Sequence, residues 1–147
     1  MYDEPADLIA SHEATLDTLG LLLGDSSSEV SRGKGWTISE IVNHMLDTER
    51  RFVGRVGRMR RESNPAMRIM PDADYTKLSV LRAWKQFYDL RRRHIRLLRS
   101  LKPDEWDRPG VLTPVGDITI ASLTRHAAAH DVTHIAQIAR RLSGRTD

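Results

Sequence analysis

Four long segments with helical periodicity, separated by turn-rich loops, most constrain what this chain can fold into. The first runs from about Ala6 to Leu23, with Leu8, Leu16, Leu19, Leu22 and Leu23 along one stripe. Gly24 and the run DSSSEVSRGKG (25–35) end it. The second opens at Thr37, a helix-capping residue with Glu40 three positions on to complete a capping box. Its apolar series is Ile38, Ile41, Val42, Met45, Leu46, Phe52, Val53, Val56 and Met59, and it lasts to about Arg61, before the two prolines of SNPAMRIMPDAD (63–74). The third spans about Thr76 to Leu101, with Leu81, Trp84, Tyr88, Ile95 and Leu98 along it and Pro103 to stop it. The fourth starts near Thr119 and ends at Leu142, before Ser143 and Gly144. Between the third and fourth, PDEWDRPGVLTPVGDIT (103–119) is the least helical stretch, and Val111, Leu112 and Val115 around Thr113–Pro114 suit a short extended excursion. No other strand signal competes. The expectation is an all-α, four-helix bundle forming a single domain over residues 1–147.

Composition narrows the class. A content of 39% hydrophobic and 29% charged residues describes a soluble chain, and no apolar run approaches the roughly 20 residues of a membrane helix. The start, MYDEPADLIASHE, has neither the basic nor the apolar region of a signal peptide, so a cytoplasmic location is expected. The absence of cysteine excludes disulfides, thiolate ligands and a cysteine nucleophile. The net charge of +3 is arginine-driven and clustered in RRFVGRVGRMRR (50–61), RRRHIRLLR (91–99) and Arg140–Arg141. That pattern fits solvated helix faces better than a nucleic-acid surface, and no base-reading module is recognisable.

Chemistry concentrates in the histidines. In RHAAAHDVTHIAQIARRL (125–142), His126, His130 and His134 follow one another at helical spacing. Imidazoles at i and i+4 share a helix face and can grip one metal ion, leaving 126/130 and 130/134 as candidate pairs. At about 100° per residue, His134 falls about 40° from the centre of the stripe formed by Ile120, Leu123, Ala127, Ile135, Ile138 and Leu142; His130 falls about 80° and His126 about 120° away. Phase favours the second pair. His44 lies about 120° from the centre of its own helix's stripe, which by phase alone reads as a surface position. Glu49 lies near the centre of that stripe, where a carboxylate requires a partner: a buried arginine, or a metal ligand to support. For Asp131 a helix-internal hydrogen bond or salt bridge is the simpler reading. His12, on the first helix's stripe, reads as an ordinary, partly buried histidine, and His94, within RRRHIR, as a surface residue. None of the GxSxG, P-loop, GxGxxG or HExxH patterns occurs.

With WTISEIVNHMLDTERRF (36–52), PVGDITIASLTRHAAAHDVTHIAQIARRL (114–142) and the arginine-rich third helix between them, the chain resembles the DinB/YfiT-like superfamily, in particular its DinB_2 branch. The resemblance covers nearly the whole chain. It implies a four-helix bundle of unusual connectivity and a divalent metal ion, zinc or nickel, held by His44, His130 and His134. His126 is an additional histidine beside that set. Glu49, Asp131 and Gln137 are then candidates to orient the imidazoles or a bound water. Relatives include bacillithiol-using S-transferases and mycothiol-dependent isomerases and commonly form homodimers. The resemblance therefore implies a metal-dependent enzyme acting on a small molecule, with an anionic low-molecular-weight thiol as cofactor and a homodimeric state. A hydrolase-like reaction, a non-catalytic metal-binding or stress-response module and, last, a basic nucleic-acid-binding bundle are the alternatives.

Overall fold

The computed structural model describes residues 2–24, 36–70 and 78–144. Four helices make up most of it: α1 (Glu4–Leu23), α2 (Ile38–Arg61), α3 (Val80–Ser100) and α4 (Ile120–Leu142). Each begins on a side-chain cap, which satisfies amide groups that have no partner inside the helix. Asp3 accepts from the Ala6 amide, Thr37 from Glu40, Ser79 from Arg82 and Thr119 from Ser122. The Thr37 hydroxyl also donates to the Glu40 carboxylate at 3.3 Å. The third helix starts at Val80 rather than Thr76; Thr76 and Lys77, like the loop 25–35, lie outside the described residues.

The excursion between α3 and α4 is a 3-10 turn (Pro103–Asp107) followed by a β-hairpin, and it completes a small three-stranded sheet. In chain order the strands are β1 (Ala66–Arg68), β2 (Pro109–Thr113) and β3 (Gly116–Thr119). β2 pairs antiparallel with β3, with Leu112 opposite Gly116, and parallel with β1, with Met67 opposite Leu112. Gly116 closes the hairpin at φ +109°, a conformation side-chain-bearing residues rarely adopt. β1 was not expected from the sequence. It has three residues, of which Met67 alone is buried, and so offers no alternation to read.

α2 packs against α3 and α4, and α1 against α4 and α3, so that the chain-consecutive α1 and α2 stand diagonally in the bundle. Two apolar clusters fill the interior. One, at the sheet end, joins Phe52, Val56, Met59, Leu98, Trp106, Leu112 and Ile120. The other, at the opposite end, joins Leu16, Leu19, Ile41, Val42, Phe87 and Ile138. Where they meet, every helix supplies buried polar side chains: His12 and Thr15 from α1, Glu49 from α2, Arg91 and His94 from α3, and Asp131 from α4.

The buried face of α3 corrects the sequence reading. Val80, Ala83, Phe87, Arg91, His94, Ile95 and Leu98 point inward, while Leu81 and Tyr88 are exposed. Ile95 and Leu98 are buried as expected and Trp84 partly so, but two of the inward positions carry arginine and histidine, so hydropathy alone rotates the stripe toward Leu81 and Tyr88. His94, expected at the surface, is 0% exposed, and His12 is fully rather than partly buried. Among the described residues no helix is long and apolar enough to cross a membrane.

Candidate metal centre

α2 and α4 run side by side, and across their contact they bring three imidazoles together. His130 and His134 project from one face of α4, and their Nε2 atoms are 3.0 Å apart. His44 reaches across from α2 and places its Nε2 3.1 Å from that of His130. The ligand-capable nitrogens of all three lie within 4.8 Å of one another. His134 is buried, and the other two are half-buried. His44 stands on the flank of α2 that faces α4, off the axis of its own apolar stripe, which is why phase placed it outside.

The protonation pattern shows what such a cluster needs. The Nδ1–H of His134 donates to Gln137 Oε1 at 2.7 Å, leaving its Nε2 as a lone pair. His130 Nε2 touches both other Nε2 atoms, yet one nitrogen carries either one proton or one lone pair. A proton on His130 Nε2 can point at only one neighbour; a lone pair there could accept only from His44, since the proton of His134 is on the other nitrogen. No neutral arrangement turns both contacts into full hydrogen bonds. Burial, followed by the neighbouring His134 and His44 rings, pushes the His130 imidazole down to about 4, so it is neutral near pH 7. A cation at the common centre removes the conflict. Ligands at about 2.0–2.1 Å around a tetrahedral ion stand about 3.3 Å apart, close to the spacing of these nitrogens.

Trp36 walls one side of the cluster, edge-on to His44 at 4.9 Å between ring centroids and stacked over His134 at 6.4 Å. On the other side Phe52 lies 6.2 Å from His130 and 6.1 Å from His126. His126 itself is exposed, one turn before His130.

A family model for the DinB superfamily, DinB_2, matches residues 7–138 of this sequence. The chain belongs to the DinB superfamily. Among solved structures the DinB bundle described above is similar to YfiT from Bacillus subtilis, characterised as a probable metal-dependent hydrolase with an unusual four-helix bundle topology. The two share 21% identity over 97% of this chain and 90% of that one, with a TM-score of 0.74, a likeness of fold. No curated protein matches the sequence.

Of the residues considered as supports for the imidazoles in this DinB chain, Gln137 is the one that hydrogen-bonds a member of the cluster. Glu49 and Asp131 turn instead to Arg91. The guanidinium donates from Nε and Nη2 to Glu49 at 2.5 and 3.1 Å, from Nη1 and Nη2 to Asp131 at 2.9 and 3.0 Å, and from Nη1 to the His12 carbonyl at 3.3 Å. All five of its N–H groups are thereby used. Asp131 also accepts from Thr15 at 3.0 Å, and Glu49 faces His94 Nδ1 at 3.0 Å. Burial alone would raise the Glu49 carboxyl, but Arg91 and His94 hold it down at about 2. Arg91 was not singled out from the sequence and His94 was read as a surface residue; the available signal was the carboxylate of Glu49 on an apolar stripe, for which a buried arginine was one of the two partners expected.

Proposed function

We propose that this protein is a divalent-metal-dependent enzyme in which His44, His130 and His134 hold the ion through their Nε2 atoms, with a coordination position left for water or a low-molecular-weight thiol. The observation that carries this reading is the convergence of three imidazole nitrogens whose mutual contacts cannot all be hydrogen bonds. Three protein ligands with room for a fourth is the arrangement of catalytic rather than structural sites, and an all-imidazole set suits zinc or nickel. When bound, such an ion acts as a Lewis acid that makes water or a thiol nucleophilic near neutral pH. Gln137 fixes the tautomer and ring plane of His134 by accepting its Nδ1 proton. Trp36 keeps water from one side of the imidazoles, and the Phe52 side opens onto a cavity that His130 lines. Hydrolysis is supported by the description of YfiT, and thiol transfer by the wider family resemblance.

The test begins with metal content by mass spectrometry on tag-free protein. About one ion per chain is expected for wild type, and much less for His44→Ala, His130→Ala and His134→Ala, with helicity retained. Near-stoichiometric metal in all three variants would end the assignment. Turnover of an ester and amide panel, against thiol addition to a panel of electrophiles, then separates hydrolase from transferase. Metal without either activity would favour a non-catalytic metal-binding module.

A further inference from the structure

A cavity of about 470 Å³ runs from His130 along the groove between α2, α4 and the β2–β3 hairpin. Its body is apolar, built from Phe52, Leu112, Ile118 and Leu123. Ile69 and Val115, both large, apolar and exposed, stand in its lining as well. A volume of this size, with an apolar body and polar side chains converging in its lining, is that of a small-molecule site.

Beside Thr48, Ser122, His126 and His130, the arginines and the carboxylate of the lining are unevenly placed. The α2 wall carries Arg51 and Arg55; the hairpin wall carries the exposed Asp117. Arg51 is held by Asp47 at 2.9 Å and by the Met70 carbonyl at 3.2 Å. Arg55 has a different environment. It is half-buried, and its hydrogen bond among the described residues is a long one to the Arg68 carbonyl at 3.5 Å. Burial, and then the like charge of Arg51, push its guanidinium below the ordinary value. The same two arginines border a neighbouring groove whose described lining also carries Arg58, paired with Glu62, and Arg61 and Arg68. A half-buried cation beside another cation, with no carboxylate on it among the described residues, is a place where an incoming anion gains a charge-assisted hydrogen bond.

The spacing is equally informative. Phe52 is level with His130, 6.2 Å away between rings, and Arg55 lies three residues further along α2, about 4.5 Å at the helical rise. Arg55 thus stands about one helical turn from Phe52, and Phe52, Arg55 and His130 line the same cavity.

From this arrangement we infer that the substrate is an amphipathic organic anion. Its hydrocarbon or aryl body lies along Phe52, Leu112, Ile118 and Leu123, its carboxylate or phosphate is read by Arg55 with Arg51 beside it, and its far end is presented at His130. The inference rests on the metal-site reading for what happens at that far end, but not for the recognition of the anion.

The test is calorimetric titration of zinc-loaded and of metal-stripped protein with octanoate, octyl phosphate, octylamine, 1-octanol and acetate. Octanoate or octyl phosphate is expected to bind at least tenfold more tightly than octylamine and acetate in both forms, and the tighter of the two identifies the head group. Arg55→Glu should remove that preference and shift it toward octylamine, while leaving zinc content unchanged; the gain of amine binding shows that the variant is folded. Equal binding of octanoate and octylamine would overturn the inference. So would octanoate binding that vanishes on stripping zinc but ignores Arg55→Glu, because the carboxylate would then sit on the ion. Stoichiometric zinc with no anion preference sinks this inference and spares the metal site; an Arg55-dependent preference in a protein that never holds stoichiometric metal does the reverse.

Discussion

At the scale of single residues, the site is defined by what each imidazole nitrogen is committed to. His134 is the most constrained of the three, because Gln137 takes its Nδ1 proton at 2.7 Å and so leaves the Nε2 lone pair aimed at the cluster. Outer partners of this kind tune affinity rather than create it, typically by ten- to a hundred-fold. Gln137→Leu is therefore expected to keep metal stoichiometry at saturating zinc but to weaken zinc binding about tenfold in a competition titration with a chromophoric chelator. Gln137→Glu, which retains an acceptor, should bind within a few-fold of wild type. Equal weakening by both variants would show that Gln137 acts through packing and not through that hydrogen bond. The histidine pair on α4 was legible in the sequence because i,i+4 spacing and helical phase are local properties of one helix. His44 was not legible from phase, since its direction is measured from the stripe of α2 while the cluster sits on the flank shared with α4. The cavity could not be read at all, because its walls come from segments as far apart as Thr48 and His130.

At the scale of elements, α3 is the one whose role differs most from its appearance. Arginine-rich and marked by RRRHIR, it reads as a solvated helix; in the fold it drives Arg91, 1% exposed, into the bundle to meet a carboxylate from α2 and another from α4. Most helix bounds were legible because caps and breakers are local: Thr37, Pro103 and Thr119; the start of α3 was not, its Ser79 cap lying three residues past the expected Thr76. The inward face was not, because the periodic positions 87, 91, 94 and 98 carry phenylalanine, arginine, histidine and leucine, and only partners from other helices make the two polar ones core. Removing one member of a buried ion pair leaves an uncompensated charge, at a cost of about 3–5 kcal/mol. Arg91→Met should accordingly lower stability to chemical denaturation by about that amount, since it strands both Glu49 and Asp131. Arg91→Lys should recover little of it, because an ammonium has three donors where five are in use. The triple change of Arg91, Glu49 and Asp131 to apolar residues of similar size should be far less damaging than Arg91→Met alone. If Arg91→Met is as stable as wild type, the Arg91–Glu49–Asp131 network is not holding the helices together.

At the scale of the whole molecule, the polar belt sits between two apolar clusters and is the layer in which all four helices meet. Its titration should therefore be felt as global stability. His12 is driven down from its ordinary 6.5 to about 4, first by burial, then by Arg91 and His94. Between those values the unfolded chain takes up a proton that the folded one refuses, so stability rises with pH across that interval and is lost as pH falls through it. Glu49 is held at about 2 against an ordinary 4.5 because Arg91 and His94 outweigh its burial. Its contribution is complete above 4.5 and is lost as pH drops toward 2, by the same linkage. Acid should thus weaken the bundle in two successive windows, His12 first and Glu49 after it. The His130 imidazole is depressed with the same sign, so the contribution of His12 has to be isolated by difference. Urea titrations of wild type and His12→Gln from pH 7 down to pH 4.5 provide it: the stability advantage of wild type should shrink as pH falls, by an amount on the order of 3 kcal/mol at most. A gap that stays constant over that range would mean that His12 takes up its proton equally well in the folded protein, and that the belt tolerates charge at the position where two imidazoles meet edge to face.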